Sequence, residues 1–250
     1  MGNFLDAETS PMGKNIGLVF AKQTSQRYEW DGILISEQII AVHYIDYPAK
    51  STGYIAPLYL KPEGIEAQWQ PNINHELLER LAENLNKTPS PVEVFDYIYG
   101  ILHDPVYRRQ YGEYLSRDFP RVPIIENEEV FRIYVTAGER LRKLHLMQTK
   151  IPATLALEPS TAADLEIGAV KYKDGVLHLN TNKQIHGIAE DVWNYRIGGY
   201  QVIDKWLKSH KGKTMTIDDF DHIANIVGLL AETIKIQEEL KSLHDHKSKG

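Results

Sequence analysis

The stretch AVKYKDGVLHLN, residues 169–180, decides how the rest of the chain is read. Its residues alternate around Asp174-Gly175, and an Asp-Gly pair between alternating segments is a strong signal for a two-residue hairpin turn. Helical patterns stand on both sides of this hairpin, and strand patterns precede the first of them. The order is strands, helices, hairpin, helices. That order predicts an α+β fold rather than alternating βαβ units.

The first third reads as strands at 16–22 (IGLVFAK), 33–43 (ILISEQIIAVH) and 53–60 (GYIAPLYL), rich in β-branched residues and bounded by turn formers. Pro57 favours an edge or a bend in the last of these. Helical spacing of Leu77, Leu78, Leu81 and Leu85 predicts a helix over 74–86. Ser90, Pro91 and Glu93 form a capping-box start for the next helix, whose apolar face is Val94, Phe95, Ile98, Ile101 and Leu102. Asp104-Pro105 opens another, to about Phe119, where Pro120 ends it. Asn127 caps a long helix to about Gln148. After the hairpin, 199–209 carries Val202, Ile203, Trp206 and Leu207 on one side, and Thr216 with Asp219 starts a final helix to about Leu243. One domain is expected over 15–243, with two lobes of about 15–150 and 151–243 as the alternative division and flexible ends at 1–14 and 244–250.

At 250 residues, 42% hydrophobic and 25% charged, the composition is that of a soluble globular protein. No apolar run approaches the roughly 18 to 20 residues of a membrane span, and the first residues do not read as a signal peptide. Cysteine is absent, which excludes disulfides, thiolate metal sites and cysteine nucleophiles, and suits a reducing cytoplasm. The net charge is −6, but it is unevenly spread. Residues 1–104 hold 7 Lys/Arg against 14 Asp/Glu, whereas 193–216 hold 5 against a single Asp. One short basic island therefore sits in an acidic chain.

Most catalytic and cofactor motifs are excluded. Gly212-Lys213-Thr214 lacks the glycine a phosphate loop needs five residues earlier, where Leu207 stands. Gly198-Gly199 belongs to no G-x-G-x-x-G pattern and suits a tight turn. No H-E-x-x-H or G-x-S-x-G occurs, and the ten histidines show no ligand spacing within an element, His244-Asp245-His246 coming nearest. Acid pairs such as Glu128-Glu129 and Asp218-Asp219 stand at helix starts, where the helix dipole stabilises them. No catalytic residue, metal site or cofactor is expected in this chain.

Three basic stretches remain. The island runs from Trp193 through Tyr195 and Arg196 to Lys205, Lys208, His210, Lys211 and Lys213. Lysine and arginine hold phosphates and aromatic rings offer faces to bases or sugars, but a solvated basic helix end has the same spacing. Tyr107-Arg108-Arg109 with Arg117 and Arg121 reads rather as core tyrosines and surface arginines. The loop Lys22, Gln23, Gln26, Arg27 carries side chains able to bond base edges in pairs, with an exposed polar hairpin loop as the plain alternative.

Three segments, NIGLVFAKQ…GYIAPLYL (15–60), PSPVEVFDYIYGILHDPVYRRQYGEYLSRDFPRVPI (89–124) and VWNYRIGGYQVIDKWLKSHKGKTMTIDDFDHIANIVGLLAETI (192–234), together resemble the C-terminal specificity region of type ISP restriction–modification enzymes and related adenine-specific DNA methyltransferases. The resemblance spans nearly the whole chain in the family's order. It implies a bacterial-defence, DNA-binding target recognition domain at the end of a polypeptide that also carries a nuclease, a helicase-like motor and an S-adenosylmethionine-dependent adenine-N6 methyltransferase. The chain has no Asn/Asp-Pro-Pro-Tyr/Phe tetrapeptide, no glycine-rich cofactor motif and no helicase motif. The resemblance therefore implies a piece or subunit that selects DNA while modules outside it methylate, whether or not they also cleave. Arg196, Lys205, Lys208, Lys211 and Lys213 are then the expected phosphate contacts, and Lys22, Gln23, Gln26 and Arg27 the expected loop contacts with the duplex. The expected partners are double-stranded DNA and the methyltransferase and helicase-like modules, with no membrane. The alternative is a domain of the same enzyme that docks on its other modules without touching DNA, which the acidic first 104 residues favour.

Overall fold

The computed structural model describes residues 13–24, 29–40, 52–61, 68–159 and 165–247, the last three of these by backbone alone. The fold is α+β, as the element order predicts. The chain divides into two compact units, one of residues 1–148 with 236–250 and one of residues 149–235.

In the first unit, β1 (Gly17–Ala21) lies between β2 (Ile33–Ser36) and β3 (Gly53–Pro57) in an antiparallel sheet. Pro57 ends an edge strand, where its missing N–H costs no ladder bond. The chain breaks at Leu58 before β4 (Tyr59–Leu60), which pairs with β5 (Gln70–Pro71). The strand expected over 33–43 stops at Ser36, and 41–43 lie outside the described residues.

Helix α1 (His75–Leu85) falls within the range its leucine spacing predicts, and α2 (Pro91–Ile101), α3 (Pro105–Leu115) and α4 (Glu128–His145) begin where their caps predict. Asn74, Ser90, Asp104 and Asn127 each accept a bond from an otherwise unpaired N–H of the first turn. Helices α2 and α4 pack backbone to backbone. A Cβ on Gly138 would sit 1.8 Å from the Asp96 carbonyl oxygen, and one on Gly100 2.3 Å from that of Tyr134. Only glycine admits that approach.

In the second unit, β6 (Ala156–Glu158), β7 (Lys171–Lys173), β8 (Val176–His178) and β9 (Gln184–His186) form an antiparallel sheet of order β6-β9-β8-β7. Asp174 and Gly175 take φ of 52° and 81°, the left-handed pair that a two-residue hairpin turn needs. A short helix α5 (Glu190–Asn194) precedes a second hairpin, β10 (Arg196–Ile197) and β11 (Tyr200–Gln201), turned by Gly198 and Gly199 at positive φ. The helix expected from 199 therefore starts later, as α6 (Val202–Ser209). Leu177 and Ile185 of the sheet, Ile203 and Leu207 of α6, and Ile223, Val227 and Leu230 of α7 (Ile217–Lys247) share one apolar core. Thr216 and Asp219 make the reciprocal cap at the start of α7. This helix contributes to both units and runs past the expected end at Leu243, through Lys247. No helix among the described residues is long and apolar enough to cross a membrane.

Candidate nucleic-acid interface

The basic island lies wholly in the second unit. Arg196 on β10 is exposed, and its guanidinium donates to the Gly199 carbonyl at 2.9 Å, closing its own hairpin. The Lys205 ammonium stands 4.5 Å above the Tyr200 ring, and Lys208 is paired with Asp204 one turn back at 2.7 Å. Both lysines are exposed on α6, at a spacing that places them on one helix face. Trp206 stacks on His210 at 3.9 Å, and the ring nitrogen Nδ1 of His210 lies 2.9 Å from the Trp206 carbonyl, which closes the helix end.

Lys211 and Lys213 differ from these. Both are exposed, and neither has an ion pair or hydrogen-bonded side chain among the described residues. Their backbone is nevertheless fixed. Gly212, at φ 79°, donates to the Ile167 carbonyl at 2.8 Å, and the Ile167 N–H donates to the Lys213 carbonyl at 3.0 Å. Two free ammonium groups thus stand on a turn that is already ordered, so little backbone entropy would be lost on binding an anion.

The loop candidates lie in the first unit. Lys22 and Gln23 are exposed just after β1, whereas Gln26 and Arg27 lie outside the described residues. The Lys22 ammonium sits 5.5 Å above the ring of Phe119, which packs edge-on against Tyr54 at 5.0 Å. Beside Phe119 is a cavity of about 640 Å³ lined by Tyr107, Tyr111, Tyr114, Arg117 and Arg121. The core reading of these tyrosines needs correction. Tyr107 is half-buried, its hydroxyl donating to the Arg121 carbonyl, but Tyr111 is 38% and Tyr114 75% exposed. The surface reading of the arginines fails at Arg108, which is buried, donates to the Leu102 carbonyl at 2.6 Å and lies over Trp30. Trp30 is far from Arg108 in sequence and Leu102 lies across the break between α2 and α3, so helical spacing alone could not place it.

The outward face of the four-stranded sheet escaped the sequence reading. Lys171, His178, Gln184 and Glu158 form one cross-strand row, and Lys173, Val176, His186 and Ala156 the other. The alternation on either side of Asp174-Gly175 was legible, but the pairing with β9 and β6 was not. Among the described residues no group of His, Asp or Glu side chains could hold a metal ion.

A protein-family model for the Type ISP C-terminal specificity domain matches residues 7–239. The chain belongs to this family. Solved structures show the same fold around this specificity domain. The ATP-dependent Type ISP restriction-modification enzyme LlaBIII bound to DNA superposes with a TM-score of 0.71 at 20% identity, over 90% of this chain and 16% of its own. A DrdV–DNA complex gives 0.73 at 21% identity, over 91% of this chain and 25% of its own. A nuclease-deletion mutant of the Type ISP enzyme LlaGI in complex with a DNA substrate mimic gives 0.64 at 22%, over 90% and 18%. The specificity domain thus spans a quarter or less of those chains. No curated protein matches it.

Proposed function

We propose that this chain selects the DNA sequence on which a larger restriction–modification enzyme acts. The match over residues 7–239 to a family of specificity domains carries this reading. DNA is present in the solved complexes of LlaBIII, DrdV and LlaGI, whose corresponding parts share the fold. In the proposed enzyme, a module outside this chain transfers a methyl group from S-adenosylmethionine to adenine N6, and helicase-like and methyltransferase modules in the cytoplasm are its partners. Lys211 and Lys213 hold phosphates first, with Arg196, Lys205 and Lys208 beside them, and Lys22, Gln23, Gln26 and Arg27 form a second contact in the other unit. Phosphate contacts set register and base contacts supply sequence information.

Retention of this chain on a pool of random duplexes at low salt, followed by sequencing of the retained DNA, tests the proposal. Enrichment of one motif is the expected result. Retention without a motif would reduce the role to positioning, and no retention while the parent enzyme binds would remove DNA contact from this domain.

One observation favours a second reading. Tyr111, Tyr114 and Phe119 are exposed and line the 640 Å³ cavity, with the exposed Tyr54 packed on Phe119, and clustered exposed rings mark protein contacts as readily as nucleic-acid ones. Under this reading that face docks on another module of the parent enzyme. Tyr114→Ser would then impair assembly with that module and leave the DNA preference unchanged.

A further inference from the structure

The outward row Lys171–His178–Gln184 combines alignment, exposure and free hydrogen-bonding groups. The register pairs Lys171 with His178 and His178 with Gln184, so the three side chains stand side by side across β7, β8 and β9. Their inward neighbours Tyr172, Leu177 and Ile185 pack into the apolar core, which fixes the opposite face outward. Lys171 is exposed and His178 and Gln184 are half-buried. None of the three side chains has a hydrogen bond or ion pair among the described residues. In the parallel row, the Nε2 atom of His186 is buried without a hydrogen bond among the described residues, although Glu158 Oε2 lies 3.3 Å away. By contrast, Arg196, Lys205 and Lys208 are already engaged inside the protein.

The surroundings suit a groove. Among the described strands β7 is the edge of the sheet, and β8 pairs with β9 on its other side, so the row stands on three adjacent strands beside one edge, and strands laid in a groove can read base edges. Gly168 donates to the Leu179 carbonyl at 2.8 Å, just past β8, and its neighbour Ile167 is bonded to the Gly212 and Lys213 backbone. The end of β8 is thereby joined to the ordered turn bearing Lys211 and Lys213. The carboxylates at hand are Glu158, Asp174 and the exposed Glu166; Asp174 lies 3.6 Å from Lys173. Lys171, Lys173, Lys211 and Lys213 stand against these and against Glu190 and Asp191, which act on Tyr172 of β7, so the face carries no positive excess. That balance suits discrimination between base edges, with most of the affinity supplied elsewhere.

Resting on the DNA-recognition reading above, we infer that Lys171, His178 and Gln184 are the base-reading row of this domain. The outward face of β7, β8 and β9 lies against the major groove of duplex DNA, and Lys211 and Lys213 hold adjacent phosphates. Lysine suits the O6 and N7 acceptors of guanine, glutamine suits the N6 and N7 groups of adenine, and histidine can donate or accept.

The test compares the motif enriched from random duplexes by the wild-type chain with those enriched by Lys171→Ala, His178→Ala, Gln184→Ala and Gln184→Glu. Each alanine variant should lose roughly tenfold preference at one or two adjacent positions while total retention changes little. Gln184→Glu should acquire a preference for cytosine at its position, because a carboxylate accepts from the cytosine amino group; a misfolded protein would not show such a gain. If all four variants enrich the wild-type motif at full stringency while Gln23→Ala relaxes it, the row does not read bases and the recognition reading stands. If the wild-type chain enriches no motif, both readings fall.

Discussion

Arg142 on α4 donates two hydrogen bonds to Asp96 on α2, Nε to Oδ1 at 2.6 Å and Nη2 to Oδ2 at 2.9 Å, and both side chains are buried. Burial raises the Asp96 carboxyl above its ordinary range, while the guanidinium pulls it back down. Removing one partner leaves a buried charge alone, so Arg142→Met should cost about 3 to 5 kcal/mol near neutral pH. Replacing both, with Asp96→Leu added, should recover much of the loss. The sign with pH follows from the raised carboxyl. Its penalty is absent below the unfolded-state pKa and complete above the folded one, so the single variant should regain stability as the solution is acidified. Urea unfolding of the three proteins across pH checks both points, and equal stability of wild type and Arg142→Met at pH 7 would remove the pair from any structural role.

The glycines predict opposite effects. Gly138→Ala places a methyl against the Asp96 carbonyl on the facing helix, which neither backbone can avoid without separating α2 from α4. Thermal unfolding should show a loss of about 3 kcal/mol or more. Gly112 lies inside α3 with nothing within 4 Å of its would-be Cβ. Gly112→Ala should therefore stabilise by about 0.4 to 1 kcal/mol, through helix propensity and a less flexible unfolded chain. A gain at Gly138 would contradict the packing described for α2 and α4.

His145 should make the first unit sensitive to acid. Burial, and secondarily Arg108, hold its pKa down at about 4, and its Nδ1 lies 2.6 Å from the Tyr99 hydroxyl. Burial and then Arg108 also hold His103 well below the ordinary value. Both are lowered relative to the unfolded chain, so their contribution is complete above about pH 6.5 and is lost as pH falls toward 4. The melting temperature should drop through that window. In His145→Gln the drop should be shallower, and an identical pH profile would show that this ring does not couple to unfolding.

Ion pairing within the island ranks its lysines. Lys208 must leave Asp204 to meet a phosphate, whereas Lys211 and Lys213 have no competing partner among the described residues. Lys211→Ala and Lys213→Ala should each weaken binding to all duplexes and lower the slope of log affinity against log salt by about 1. Lys208→Ala should do less. Affinities measured from 50 to 200 mM salt on specific and unrelated duplexes give the ranking directly, and unchanged slopes for Lys211 and Lys213 would remove that turn from the interface.

Much of this protein was legible because its signals are local. The side chains of Ser90, Asp104, Asn127 and Thr216 bond N–H groups two or three residues ahead, so these helix starts could be read from a few neighbouring letters. Asp174-Gly175 likewise specifies its own turn through φ values that few residue types adopt. The likeness of whole segments to a known family was equally a property of the letters. Tertiary structure alone decided what depends on distant partners: that Arg108 turns inward onto Trp30, that Tyr114 stays in solvent, and that β9 lies between β6 and β8. That last pairing aligns Lys171, His178 and Gln184 in one row. Strand order and burial are settled by packing a shared core, which sums contacts over residues far apart in the chain, and no local pattern encodes that sum.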